Sequence, residues 1–177
     1  MVATLFWVGS WFFMSGAADA VSRRIENAYL GTTAGWGANA NGQLGNESTT
    51  RSSVPVAAQT TGVLSAKTLL QISVANSSAS AHVCAVASDG AAYCWGANDS
   101  GQLGNPSVPA TSSSVPVAVS TASPSALAGK TVTMVAAGGS SSCAITTEGL
   151  AYCWGQGTSG QLGNGGTSAS TTPVAVS

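Results

Sequence analysis

Four cysteines carry the most reactive side chains of this chain, and their spacing predicts two disulfides. Cys84 and Cys94 are separated by nine residues, and Cys143 and Cys153 repeat that spacing. A turn signal, Asp-Gly in the first pair and Glu-Gly in the second, lies midway between the two cysteines. A hairpin with a three-residue turn would place the two cysteines of each pair directly opposite each other. At such a non-hydrogen-bonded position the two Cα atoms are about 4.5 Å apart. That separation suits a disulfide.

Reduced core thiols and a metal site are the alternatives for these cysteines. Zinc fingers and ribbons need two cysteines that are about two to four residues apart, and His82 is the chain's one histidine. We therefore rank disulfides first, buried thiols second and a metal third, and we expect no metal and no cofactor. Because disulfides persist in oxidising compartments, the cysteines predict an extracellular or cell-surface location.

The other titratable residues do not suggest a catalytic set. Acid–base catalysis by His82 would need a nucleophile or a carboxylate partner. The third repeat has Ser141 at the position of His82, so the histidine is not a repeated feature. The acids Asp89, Glu148, Asp99 and Glu47 are spread over turn positions, and the repeat geometry pairs no two of them at a common cleft. We therefore expect a structural, hydrogen-bonding His82, no catalytic residues and no enzyme activity.

The elements that must position these side chains belong to a repeat. An eleven-residue segment of the form Trp-Gly-x-x-x-x-Gly-Gln-Leu-Gly-Asn occurs three times with a period of 59 residues, and a Pro-Val-Ala segment follows each copy. Such a period indicates an array of one supersecondary unit. The repeated residues predicted to form its core are Trp36, Trp95, Trp154, Leu44, Leu103 and Leu162. We expect the glycines to form turns and the repeated asparagines and glutamines to bond loop backbone groups.

Within each repeat the sequence predicts strands and turns. Residues 131–137 are β-prone, and 143–146 and 150–154 are strand-length runs separated by a Glu-Gly turn. The sequence therefore predicts an all-β chain.

The repeat closely resembles the one named after the regulator of chromosome condensation. The resemblance is carried by Tyr-Cys-Trp-Gly-Ala-Asn at 93–98, Gly-Gln-Leu-Gly at 101–104 and His-Val-Cys-Ala-Val at 82–86, and it covers about 36–177. In particular the chain looks like secreted bacterial-type versions with paired hairpin cysteines. The resemblance implies β-propeller blades of four strands, usually seven around a channel. This chain has repeats for about two to three blades, so we expect an incomplete propeller or open arc.

The N-terminal segment does not match the repeat. Residues 1–20 are mostly apolar and end in a small-x-small cleavage pattern at 18–20, which indicates a signal peptide that contacts the membrane only transiently. No Lys or Arg precedes the apolar run, whereas Arg23 and Arg24 follow it. A retained arm that packs on another subunit and a misassigned start are the alternatives. Residues 21–35 are a degenerate start of the first repeat, and the repeats proper occupy 36–177.

Composition narrows the class of function. Charged residues make up 6% of the chain and the net charge is −1, so there is no basic patch for nucleic acid. We expect a non-enzymatic extracellular protein-interaction scaffold whose partners are other protein chains, with copies of itself among the candidates. The alternatives are a self-assembling surface or filament protein, and a fragment or domain of a larger secreted propeller protein.

Overall fold

The computed structural model describes residues 11–12, 33–75, 77 and 79–177. Within this part of the chain, every helix or strand assigned is a β-strand. The eleven strands are β1 (Trp11–Phe12), β2 (Thr33–Gly37), β3 (Ser52–Ala57), β4 (Leu69–Val74), β5 (His82–Ala87), β6 (Ala92–Ala97), β7 (Ser112–Ala118), β8 (Val132–Gly138), β9 (Ser141–Thr146), β10 (Ala151–Gly155) and β11 (Ser170–Ala175).

These strands form three separate sheets, which we call blades 1, 2 and 3. Blade 2 has the order β4-β5-β6-β7 and blade 3 the order β8-β9-β10-β11, with all neighbours antiparallel. Blade 1 has three strands in the order β1-β2-β3, and the two-residue β1 runs parallel to β2. The prediction of an all-β chain with two to three propeller-type blades that do not close is confirmed, with blade 1 differing from the four-stranded pattern.

The sequence period is offset from the blades. Each stretch from one repeated tryptophan to the next contains the last two strands of one blade and the first two strands of the following blade. The Pro-Val-Ala segments form the last strand of each blade, with Pro55 in β3, Pro116 in β7 and Pro173 in β11. Proline has no N–H to offer, so its recurrence on these edge strands discourages pairing with a further strand.

The core lies between the blades. On one side of blade 2, a buried cluster centres on Trp95 and Tyr93, together with Leu64 and Leu69. On the other side, the residues that form a cluster between blades 2 and 3 include Cys84, Val86, Ala92 and Cys94 from blade 2 and Val132, Val135, Ala144, Tyr152 and Trp154 from blade 3. Stacking of neighbours therefore supplies the apolar burial, as in other repeat arrays.

The N-terminal predictions fall largely outside the described residues. Of residues 1–20, the proposed signal peptide, the structure describes the backbone of Trp11 and Phe12, which pair with Thr33 and Ala34 of β2. Of residues 21–35, it describes the last three, at the start of β2. Among the described residues, no helix has the length and apolar character needed to span a membrane.

Candidate interaction surface

The repeated tryptophans join each blade to the loop of the blade before it. Trp95 and Trp154 have no exposed surface. The Trp95 indole Nε1–H donates to the Gln43 carbonyl at 3.0 Å, and that of Trp154 donates to the Gln102 carbonyl at 2.9 Å. Trp36, at the same place in blade 1, is half-buried.

A buried leucine lies in the long loop that follows each tryptophan, and in the first two repeats a buried asparagine bonds the loop backbone. Leu44, Leu103 and Leu162 are fully buried. Buried Asn98 accepts from the Leu103 N–H at 3.1 Å and donates through Nδ2 to the Pro109 carbonyl at 2.9 Å. The first loop repeats this, because the Leu44 N–H donates to Asn39 Oδ1 at 2.9 Å. These buried side chains therefore hold the loops in place.

The two cysteine pairs close the central hairpins of blades 2 and 3. Cys84 lies opposite Cys94 in the β5–β6 register, and Cys143 lies opposite Cys153 in β9–β10. Both pairs form disulfides, with Cα–Cα separations of 4.1 and 4.0 Å. Gly90, in the turn of the first hairpin, has a φ of 75°, the left-handed conformation that such a turn requires.

The loops that differ between repeats lie at one end of the blades. We call this end the loop face; it comprises the β2–β3, β4–β5, β6–β7, β8–β9 and β10–β11 connections. The Ala97 N–H donates to the Ala81 carbonyl at 2.9 Å, and Asn41 Nδ2 donates to the Ala79 carbonyl at 3.1 Å. Ser140 Oγ donates to Ser80 Oγ at 2.9 Å across blades 2 and 3. The loops of successive blades therefore form one continuous surface.

His82 lies beneath this face, between blades 2 and 3. Its Nδ1 is 3.0 Å from the Ser80 carbonyl and its Nε2 is 2.8 Å from Ser142 Oγ, which donates to the Gln102 carbonyl at 2.9 Å. Burial lowers the pKa of His82 below its ordinary value, against the opposing effects of the Ser80 carbonyl and Asp99. The side chain is a polar link between blades.

A second polar link was not foreseen from the sequence. Gln71 in β4 reaches β8, where its Nε2 donates to the Val135 carbonyl at 2.9 Å and its Oε1 accepts from the Val135 N–H at 2.8 Å. Ser73 Oγ accepts from the Ala137 N–H at 3.0 Å. A glutamine in a strand gives no pattern that predicts such a contact, since the partner is backbone.

The opposite end of the blades carries a repeated charged cluster, also missed. Lys67 lies 3.5 Å from Asp89 and its Nζ is 5.0 Å from the centre of the Tyr93 ring, while the Tyr93 hydroxyl donates to Asp89 at 2.6 Å. Burial opposes ionisation of Asp89, but bonds from Tyr93 and the Ala91 N–H, together with Lys67, outweigh it and lower the pKa of the carboxyl. The acids Asp89 and Glu148 are one repeat period apart, which is a signal that the sequence offered, but Lys67 and Lys130 do not follow that period.

Blade 3 repeats part of that cluster, with Lys130 3.7 Å from Glu148. A shallow cavity of about 410 Å³ lies at this end between blades 2 and 3, beside Asp89 and Thr131. Among the described residues, no group of three or more His, Cys, Asp or Glu side chains is arranged to hold a metal ion.

Stacked four-stranded sheets joined by buried tryptophans define a repeat module of the β-propeller class. A family model described as the regulator of chromosome condensation (RCC1) repeat matches residues 89–145 and 148–177, and a second model of that description matches 132–161. The chain belongs to the RCC1-repeat family.

Sequence relatives carry the same repeat in longer proteins. The chain is 40% identical over 96 residues to the human E3 ubiquitin-protein ligase HERC2, a match covering 54% of this chain and 2% of HERC2. It is 37% identical over 100 residues to human HERC3, a probable E3 ubiquitin-protein ligase, covering 56% and 9%. With the mitochondrial RCC1 domain-containing protein RUG3 of Arabidopsis thaliana it shares 34% over 142 residues, covering 80% and 29%. The chain thus spans less than a third of each of these relatives.

Solved structures show the same fold. Human WBSCR16 matches with a TM-score of 0.64 and 26% identity over 80% of this chain and 32% of its own. Yeast RCC1 (Prp20) bound to Kap60 matches with a TM-score of 0.66 and 23% identity, covering 80% and 32%. Prp20p of Saccharomyces cerevisiae, characterised for binding to Gsp1p and histones, matches with 0.65 and 23%, covering 80% and 33%.

Proposed function

We propose that this RCC1-repeat chain is a non-enzymatic scaffold that binds a protein partner through its loop face, outside the cytoplasm. The observation that carries the proposal is the contrast between a fixed frame and variable loops. The indole–carbonyl contacts of Trp95 and Trp154 agree within 0.1 Å, whereas the sequences between the repeated motifs differ. A rigid frame holding variable loops is the usual arrangement of a binding surface.

The polar side chains that could do chemistry are engaged in structural contacts, which supports a binding role. His82 links two blades through Ser80 and Ser142, and Asp89 is held by Tyr93 and Lys67. The yeast relative Prp20p is described with protein partners, namely Kap60, Gsp1p and histones. By analogy, we take the partner of this chain to be a protein as well.

Charge supports a protein partner over nucleic acid. Among the described residues the cations are Arg51, Lys67 and Lys130, and both lysines are paired with carboxylates at the end opposite the loop face. Phosphate backbones are bound by clustered lysine and arginine side chains.

The disulfides support the location. Both hairpins are closed by a cysteine pair, and such bonds are retained in oxidising compartments. We therefore propose that the chain is extracellular or at the cell surface. Residues 1–20 would direct its export as a signal peptide and then be cleaved.

The binding proposal is tested by adding charge to the loop face. Ser107 and Ala110 are exposed in the β6–β7 loop, so Ser107→Arg with Ala110→Arg changes the surface without touching the Asn98 contacts. The matched control is Thr121→Arg with Ala128→Arg, two exposed sites in the β7–β8 connection at the opposite end. Each protein is immobilised and exposed to extracellular fractions of the producing organism, and bound proteins are quantified by mass spectrometry.

We expect a protein that binds the unaltered chain and the control variant but is lost with the loop variant. Binding lost equally in both variants would reject the loop face as the site. Turnover of a substrate by the unaltered chain would reject the non-enzymatic role.

A further inference from the structure

The chain contains two Asn-Gly pairs, Asn41-Gly42 and Asn164-Gly165, and both lie in long connections of the loop face. At such a pair the backbone nitrogen that follows the asparagine can reach the side-chain carboxamide, because glycine has no Cβ to obstruct it. Attack at the carboxamide carbon releases ammonia and leaves a cyclic imide. Whether this attack occurs in the folded chain depends on how each pair is held.

The first pair is held at both of the groups that would react. Asn41 Nδ2 donates to the Ala79 carbonyl at 3.1 Å, and the Gly42 N–H donates to the Asn39 carbonyl at 2.9 Å. Gly42 is buried against blade 2, where an added Cβ would lie 2.5 Å from Ser114 Cα. The leaving amide and the attacking nitrogen are therefore both engaged, and the peptide between them has little room to turn.

The second pair is open and is arranged for the attack. Gly165 and Gly166 are exposed, and no described residue accepts a hydrogen bond from the Gly165 N–H. The Gly166 N–H donates to Asn164 Oδ1 at 3.2 Å, which holds the carboxamide over the backbone that follows it. That oxygen takes on negative charge when the carboxamide carbon is attacked, so the same N–H would stabilise the intermediate.

The exposure of this loop does not come from the position of blade 3 in the chain. The equivalent residues of blade 2 are Asn105, Pro106 and Ser107, and both Pro106 and Ser107 are exposed although blade 3 follows. Asn105 makes the same turn as Asn164, because its Oδ1 accepts from the Ser107 N–H at 2.9 Å. A following blade therefore leaves these positions open to solvent.

We propose that Asn164 is a site of spontaneous deamidation, which places a new carboxylate on the loop face. The Gly165 nitrogen bonds to Asn164 Cγ, its proton leaves with the side-chain nitrogen as ammonia, and a succinimide forms. Water then opens that ring at either carbonyl, which gives aspartate or isoaspartate. Either product adds one negative charge to a chain whose net charge is −1. Isoaspartate also routes the backbone through Cγ, so it lengthens the loop.

The other two repeats provide matched comparisons for this site. Asn105 is followed by proline, which has no N–H, so the imide cannot form there. Asn46 is followed by Glu47, which has a φ of 62° where Gly165 has 77°. This position therefore accepts a residue with a Cβ, and Gly165→Glu should keep the loop while placing a side chain beside the attacking nitrogen.

The test follows the full chain during incubation at mildly alkaline pH, with and without denaturant, by peptide mass mapping. In the folded chain we expect Asn164 to convert at least about tenfold faster than Asn41, because attack at Asn41 must first break two hydrogen bonds. In denaturant the two sites should convert at similar rates, since both are then Asn-Gly pairs in an unfolded chain. Gly165→Glu should slow conversion of Asn164 and leave that of Asn41 unchanged.

Two readouts keep the result interpretable. Tryptophan fluorescence and retained disulfides establish that Gly165→Glu is folded. Fragmentation that distinguishes isoaspartate from aspartate identifies the imide route, because direct hydrolysis of the amide gives aspartate alone. Equal rates at Asn164 and Asn41 in the folded chain would overturn the proposal, as would an Asn164 that converts only in denaturant. Aspartate without isoaspartate, or an unchanged rate in folded Gly165→Glu, would overturn it as well.

Discussion

Trp154 combines two kinds of contact in one side chain. It buries its whole surface between blades 2 and 3 and donates a hydrogen bond to the Gln102 carbonyl. A Cβ at Gly104 would lie 2.7 Å from its Nε1, so glycine is needed there for the loop to approach the ring. The repeated Trp and Gly thus belong to one interaction, which explains why they recur together.

Replacing this tryptophan by phenylalanine should destabilise the chain. We expect Trp154→Phe to lower the free energy of unfolding by about 1–3 kcal/mol, because the indole bond is lost and a small cavity remains. Trp95→Phe should have an effect of the same size, since its contact with Gln43 is equivalent. Urea unfolding under oxidising conditions measures both. If neither substitution changed the free energy of unfolding, the indole contacts would not be what holds the blades together.

The hydrogen-bond network around His82 has more contacts than donor hydrogens to fill them. The Ser80 and Gln102 carbonyls can only accept, so neutral His82 and Ser142 supply two hydrogens for three contacts. Protonation of His82 would supply a hydrogen for the third contact. Burial of the resulting charge costs more than this contact contributes, so the pKa of His82 is lowered. The folded chain therefore resists a proton that the unfolded chain accepts.

Stability should fall as the pH drops below the ordinary histidine pKa of 6.5. Above that value His82 is neutral in both states and contributes no pH dependence. Below it the unfolded state binds a proton first, so the free energy of unfolding decreases until the pH reaches the lowered pKa of the folded state. Urea unfolding at a series of pH values measures the slope, and His82→Gln should remove it. An unchanged slope in that variant would contradict the assignment to His82. Asp89 acts in a different range, because its lowered carboxyl pKa confines its own loss of stability to below pH 3.8.

The two central hairpins are the same element in different surroundings. The β5–β6 disulfide is enclosed by blade 3, with Cys84 and Cys94 both fully buried. The β9–β10 disulfide lies on the side of blade 3 that points away from blade 2, where Cys153 is buried and Cys143 is half-buried. Access to a reductant therefore differs although the local geometry is equivalent.

The Cys143–Cys153 bond should be reduced before Cys84–Cys94. We expect this order because thiol–disulfide exchange requires access to sulfur. Timed reduction, alkylation and peptide mass mapping measure the two rates. Equal rates, or faster reduction of Cys84–Cys94, would show that burial does not determine the order of reduction.

At the scale of the whole molecule, periodic features could be predicted from the sequence and contacts with backbone could not. The repeated Trp and the cysteine spacing indicated strands, hairpins and stacked blades, because those patterns recur in register. Gln71 binding to Val135 depends on how blades 2 and 3 stack, which no local pattern encodes. Lys67 lying by Tyr93 depends on how the segment before β4 crosses to β6 within blade 2. The parallel pairing of Trp11 and Phe12 with β2 was likewise beyond local pattern.

The fold leaves the two ends of the arc different. Blade 1 ends in the short parallel β1, whereas blade 3 ends in an apolar sheet face. The loop face runs across all three blades.

The proposal of an exported interaction scaffold is tested most directly by mapping the disulfides of the protein in its own producing cells. Thiols are blocked at lysis, the extracellular and cytoplasmic fractions are separated, and nonreduced peptides are analysed by mass spectrometry. The account predicts that the chain is found in the extracellular fraction, with Cys84 linked to Cys94 and Cys143 linked to Cys153. A chain confined to the cytoplasm with four free thiols would contradict it.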